Sequence, residues 1–372
     1  GKTVLTSTTD TLDVSNATLS GSSGTELTAK QALTAQSTVV TGAGLVARSD
    51  ADILATGLRT TLTGALDVSS AEGALVADQA QLTATTVDLS AKQDVTLEHT
   101  ALTSTQDLGQ GQVALTVKSR EGNVLADNAE LTTARSVLVE AQVKVSLRDS
   151  HFDIQKGGAE LTARTDDLDL TRATGLKGDY LRFTSGGSVT MDGLAVEARE
   201  LFHVVAEGDL NAAGMDLTLG TETGKGNLTL VAETGTVDIH DADVKGNVGL
   251  VDLEGKQGVN AENVFAKDTP FTATSVELTS SEGDVTLGSR AQNIETSEDL
   301  RLTGHTLNQG NLPEGSRLVS SSGDIALESG AGPLSLGRDT HIEAQAGDVG
   351  IQTPGDLSVA DNSDIKAKET LA

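Results

Sequence analysis

Apolar residues recur at every second position along short runs of this chain. In SVELTSSEGDVTLG, residues 275–288, Val276 and Leu278 alternate with polar neighbours, and Val285 and Leu287 resume the alternation after a polar corner. A period of two marks β-strands that bury one face. The corner itself, Ser280-Ser281-Glu282-Gly283-Asp284, joins a glycine free to take positive φ to an acid able to bond nearby backbone. The phrase therefore predicts strand, sharp bend, strand.

The same phrase returns as LDVSSAEGALVA (66–77), LTVKSREGNVLA (115–126), LRFTSGGSVTM (181–191), FHVVAEGDLNA (202–212), LTLVAETGTVDI (228–239), GLVDLEGKQGVNA (249–261), RLVSSSGDIAL (317–327) and HIEAQAGDVGI (341–351). Its corner glycines are Gly73, Gly122, Gly187, Gly208, Gly235, Gly258, Gly283, Gly323 and Gly347, at separations of 49, 65, 21, 27, 23, 25, 40 and 24. The 49 and 65 read as two and three units whose intermediate glycines are replaced, and the 40 as one unit carrying an insertion. A period in the low twenties with several strands per unit predicts a solenoid, whose units bury their apolar faces only by stacking. GDVGI, GDLSV and SDIKA, starting at 347, 355 and about eight residues later, point to three strands per coil. The expected fold is an all-β, right-handed parallel β-helix of about 16 coils, on the order of 75 Å long at the spacing of neighbouring strands.

Two stretches differ in style. Residues 1–180 use a looser Leu-Thr unit, as in ELTA (26–29), QLTA (81–84), ELTT (130–133) and ELTA (160–163), with leucine inward and threonine outward. Residues 181–372 carry the regular Gly-Asp corners and all four prolines, which fall where strands should end. TGHTLNQGNLPEGSR, 303–317, lacks sustained alternation and is expected to leave the coil as a loop. Loops on a rigid scaffold often carry recognition, so Asn308, Asn311, Pro313 and Glu314 are the candidate binding residues. Phe265 and Phe271, near Pro270, are expected to plug a local gap in the core.

Composition narrows the picture. With 5 Phe, 1 Tyr and no Trp in 372 residues, the chain lacks the aromatic mass of an ordinary globular core, whereas a narrow solenoid interior can be filled by Val, Leu, Ile and Ala. A net charge of −28 would favour disorder, but disordered tracts do not hold a period-two phase. The same charge argues against nucleic-acid binding, which needs clustered Lys and Arg, and against anionic membrane surfaces. No apolar run is long enough to span a membrane, and the first residues do not form a signal peptide.

Units such as AELTARTDDLDLTRATG and LVAETGTVDIHDADVKGNVGL, with strands broken by G-[DN]-[VI] corners, resemble the haemagglutinin-type repeats of bacterial two-partner secretion exoproteins. That group includes filamentous haemagglutinin and the effectors of contact-dependent growth inhibition. The resemblance covers essentially the whole chain and rests on repeat style. It implies a β-helix exported through an outer-membrane transporter and displayed as a cell-surface fibre that meets a protein or glycan receptor on a host cell or neighbouring bacterium. The Asn-Pro-Asn motifs of the family's secretion domain have no counterpart here.

Because some parallel β-helices cleave acidic polysaccharides, carboxylate clusters bear on function. The candidates are Asp166, Asp167 and Asp169; His240, Asp241 and Asp243; and Asp361 with Asp364. With 54 acids in the chain such clusters arise by chance, and they are expected to be solvated faces. No metal or cofactor motif, cysteine nucleophile or nucleophile elbow occurs. The expectation is a non-enzymatic structural or adhesive segment; a growth-inhibition receptor contact and a polysaccharide-acting enzyme are the alternatives.

Overall fold

Alternation decides the architecture: a strand with inward Leu, Val or Ala can be satisfied only by a similar strand above and below it. In the computed structural model, which describes residues 1–109 and 111–368, the chain forms a right-handed parallel β-solenoid of about 17 turns. It divides into two compact units, Gly1–Gly187 and Ser188–Ala372.

In the first unit each coil lays down three strands, one on each face of a prism. The first face runs from Thr3–Ser7 through Thr25–Ala29 and Leu45–Ser49 to Ala159–Ala163, the second from Leu12–Asp13 to Leu168–Asp169, and the third from Thr18–Gly21 to His151–Ile154. Neighbours are parallel and in register. Leu27, Ala47, Val68, Leu89, Val117, Val139, Leu161 and Phe183 accordingly form one continuous inward stack. All eight are at most 3 % exposed. The inward leucines of the Leu-Thr units, Leu27, Leu82, Leu131 and Leu161, are buried, with Thr28, Thr83, Thr132 and Thr162 facing out.

The second unit repeats the scheme. Its first face stacks Leu230, Leu253, Leu278, Leu302 and Leu327, five leucines in register. Each fully buried leucine contributes on the order of 1.5–3 kcal/mol relative to exposure. Phe265 and Phe271 are both buried and meet edge to face with ring centroids 5.0 Å apart, filling the core beneath the chain that joins Gly258–Asn260 to Phe271–Ala273.

The corners explain the repeated phrase, though not by the reason expected. None of Gly73, Gly122, Gly235, Gly283, Gly323 or Gly347 has positive φ. Instead, a Cβ at each would come closer than 3.0 Å to atoms of the coil beneath: Asp52 under Gly73, Asp94 under Gly122, the Gly208 carbonyl and Asp209 under Gly235, Gln257 under Gly283, Asp299 under Gly323 and Asp324 under Gly347. Glycine is required by close approach. The acid and serine of the phrase tie the approaching coils together. Asp52, Asp94, Asp209, Asp299 and Asp324 each accept, at 2.7–2.9 Å, the N–H that follows the glycine above. Ser70 and Ser119 accept the corner glycine N–H and donate to carbonyls of Ala51 and Gln93 in the coil below.

The glycine-poor intervals are ordinary turns: Gln93 occupies the corner between Gly73 and Gly122, and Val143 the first of the two between Gly122 and Gly187, as their backbone bonds to Gly73 and Gly122 show. The 40-residue interval has another cause. Gly283 lies between the first-face strand Ser275–Ser280 and the second-face strand Asp284–Thr286, whereas Gly323 lies between the third-face strand Arg317–Ser320 and the first-face strand Ile325–Ser329. The phrase moves to a different edge of the prism, so 303–317 holds no inserted loop. Thr303 and Gly304 belong to the first-face strand Leu300–Gly304, and Asn311–Leu312 pairs with Ser335 and Leu336. After Ala101–Ser104, residues 105–109 do leave the coil, and Asp107 there is ion-paired to Arg135 (2.6 Å) and Lys156.

A second column was not foreseen. Where the second face turns into the third, each coil of the first unit places one residue at left-handed φ: Asn16, Ser37, Gly57, Gln79, His99, Asn128, Asp149 and Arg172, all between 51° and 68°. From Asn16 to Asp149 their N–H groups still donate to the coil above, as Asn16 to Gln36 (2.8 Å) and Gln79 to Glu98 (2.9 Å). The hydrogen-bond ladder thus passes through the turn without a break, at a cost of roughly 1–2 kcal/mol for each side chain with a Cβ. Of the prolines, Pro270 and Pro333 immediately precede strands rather than ending them.

Candidate functional site

The four candidate residues lie together, on the edge between the second and third faces of the second unit. Three successive coils widen there: 261–270, 287–292 and 307–316. The result is a groove of about 450 Å³ lined by Glu262, Thr286, Gly288, Ser289, Asn308, Gln309, Asn311, Pro313 and Glu314.

Each candidate has a definite place. Asn308 and Gln309 have φ of 46° and 56° in a single turn, Asn308–Gly310. The Asn308 amide is committed to the scaffold: its Oδ1 accepts from the N–H groups of Leu287 (3.1 Å) and Gly288 (3.0 Å), and its Nδ2 donates to the carbonyls of Gly288 (2.8 Å) and Asn311 (2.7 Å). Asn308 therefore brackets two coils and shapes the groove floor. Pro313 is buried and its carbonyl accepts from Ser316 Oγ at 2.7 Å. Asn311 and Glu314 are exposed, and Glu314 and Glu262 both line the groove among amides and hydroxyls. Such a lining suits hydrogen-bond donors, with the two carboxylates favouring a ligand that carries amine or guanidinium groups.

The carboxylate clusters are drawn into local pairs. Asp169 accepts from Thr171 Oγ1 (2.6 Å) and lies 3.7 Å from Arg148. Asp243 is bonded by Lys267 (2.7 Å), Asp241 by Asn263 (2.8 Å), and Asp364 by Lys366. His240 bonds Asp238 at 2.7 Å; that contact, opposed by partial burial and aided by Asp241 and Glu262, holds its pKa above the usual histidine value. Asp252 is pushed above the usual carboxylate range by burial and then by Glu277 and Glu254 on the same face. Among the described residues no group of three or more His, Cys, Asp or Glu is arranged to hold a metal ion.

Gly73, Gly122, Gly235, Gly283, Gly323 and Gly347 sit at corners where a Cβ would strike the coil beneath, and Gly208 lies at the corner between Ala195–Ala206 and Leu210–Asn211. What sequence reasoning missed is the widening of the edge, whose only signal was Asn308 and Gln309 side by side at a turn. No protein-family model matches the chain, and neither a curated protein nor a solved structure matches it.

Proposed function

We propose that this chain is a non-enzymatic structural and adhesive section of a bacterial surface fibre, exported through an outer-membrane transporter and presenting binding surfaces to a host or neighbouring cell. The observation that supports this reading most is the in-register coil ladder within each unit, whose inward stacks are apolar and whose outward faces carry cross-coil ion pairs. Examples are Arg48 with Asp67, Arg172 with Asp149, and Lys118 and Arg164 with Glu140. A scaffold of this kind holds surface side chains at fixed spacing without a flexible element, which suits display.

A second, narrower reading is favoured by the groove at Asn308: contact with an outer-membrane receptor, as in a growth-inhibition effector. The experiment is capture of surface proteins from intact bacteria and from host cells, by the parent chain beside Glu262→Gln/Glu314→Gln. Capture of one bacterial partner, lost in the double variant, supports the receptor reading; host capture supports the adhesin. No capture by the parent chain sinks both. Turnover of any member of a panel of acidic and neutral glycans would overturn the non-enzymatic assignment.

A further inference from the structure

A different concavity, of about 390 Å³, lies on the edge between the third and first faces of the second unit. It is built by a hairpin that no neighbouring coil shares. After Asp216–Leu219 the chain turns out at Gly220, whose φ of +76° and close neighbours, the Asn247 and Gly224 carbonyls, exclude a side chain. Thr221 N–H donates to Gly224 O (2.7 Å), Gly224 N–H to Thr221 Oγ1 (2.9 Å), and the Asn247 amide clamps Thr221 O from the next coil (3.2 Å). The hairpin thus delivers Lys225 to the concavity in a fixed position.

Lys225 reaches over the intervening coil to donate to Thr274 Oγ1 at 2.6 Å. Among the described residues no carboxylate lies within ion-pair distance of it, in a chain with 54 acids and 26 bases. One hydroxyl leaves two of its three N–H donors without a protein acceptor. Across the concavity Arg317 is paired to Glu295. The floor is apolar, with Ala273 and with Val319, which is 4 % exposed. Ser297, Ser321 and Gln345 supply hydroxyl and amide groups at the rim.

An unpaired ammonium, a mutually neutralised Arg317–Glu295 pair, a small apolar floor and neutral hydrogen-bonding groups together match one chemistry. A pyranose ring carrying a carboxylate presents an anion, a C–H face and several hydroxyls within a volume of this size. We propose that this concavity recognises the carboxylate of an acidic sugar residue, with Lys225 as its counter-charge. The site shares no residue with the Asn308 groove, and its test is independent of whether the chain belongs to a surface fibre.

The test is saturation-transfer NMR and calorimetry on the whole chain in low salt. The probes are methyl glucuronide, the methyl glycoside of N-acetylneuraminic acid, the methyl ester of the glucuronide, and methyl glucoside. Binding of one or both acids, without binding of the ester or the glucoside, is the expected result. Lys225→Gln should weaken it about tenfold, the scale of one charge-assisted hydrogen bond, while Lys225→Arg keeps most of it. Both variants should melt with the parent, because Lys225 is exposed. Equal binding of acid and ester, full binding by Lys225→Gln, or no binding of either acid at about 5 mM would overturn the proposal.

Discussion

Replacing Gly323 by alanine tests the account of the corners. The new methyl would overlap Asp299 and the Glu298 carbonyl carbon in the coil below, so the two coils must separate. Separation weakens two hydrogen bonds between them: Ser320 Oγ to the Glu298 carbonyl (2.7 Å), and Asp324 N–H to Asp299 Oδ1 (2.9 Å). At about 1 kcal/mol each, with about 1–3 kcal/mol for the displaced packing, the expected loss is on the order of 3–5 kcal/mol. Gly214→Ala is the matched control. Gly214 has φ of +63° but nothing within 4 Å of the methyl that alanine would add, so only backbone strain of roughly 1–2 kcal/mol should result. Urea unfolding followed by circular dichroism ranks the two variants. Because stacked coils need not melt as one unit, hydrogen exchange in Leu300–Gly304 and Ile325–Ser329 should show the Gly323→Ala loss locally. Equal destabilisation by the two substitutions, or a larger effect at Gly214, would refute the close-approach argument and restore backbone conformation as the reason for the corner glycines.

Other outcomes follow from the same packing. Val285 and Ile325 are fully buried, so Val285→Asp or Ile325→Asp should abolish cooperative melting of the adjoining coils, as a carboxylate there has no partner; an unchanged melt would contradict the register. Because His240 titrates above its usual value, its bond to Asp238 stabilises the fold fully below about pH 6.5 and loses that effect as pH rises through the raised folded value. An NMR titration of His240 should therefore move down in Asp238→Asn, and no movement would remove the pairing. Asp252, raised by burial and two acidic neighbours, is held charged at a cost at neutral pH. Asp252→Asn should raise the melting temperature at pH 7, with the gain vanishing in acid once Asp252 itself is protonated, and a lowered melting temperature at pH 7 would count against the assignment.

The inward positions were legible because alternation is a one-dimensional signal: Leu27, Leu82, Val276, Leu278, Val285 and Leu287 could each be oriented from neighbours in the sequence alone. The glycine corners were legible as places and misread as causes. Gly323 looks like a flexible turn until Asp299, 24 residues earlier, is placed beneath it. Likewise the interval from Gly283 to Gly323 resembles an insertion because sequence spacing cannot tell one edge of a prism from another. The left-handed column escaped notice because Gln79, His99 and Arg172 are poor residues for that conformation and hold it through the stack. At the candidate groove, the sequence brought Asn308, Asn311, Pro313 and Glu314 together as neighbours. It gave no sign of Glu262 or Gly288, which arrive from the two preceding coils.

The unbroken backbone ladder determines how each unit would respond to tension. Its hydrogen bonds run along the stacking direction, so a pull on that axis loads them in opening rather than in shear. Coils would then come away singly, each surrendering a handful of bonds before the next is strained. A freed coil of about 21 residues extends to roughly 70 Å, against about 4.8 Å when stacked. Each unit is therefore a store of length released in small steps at modest force, and coils still in place remain templates onto which the freed chain can fold back.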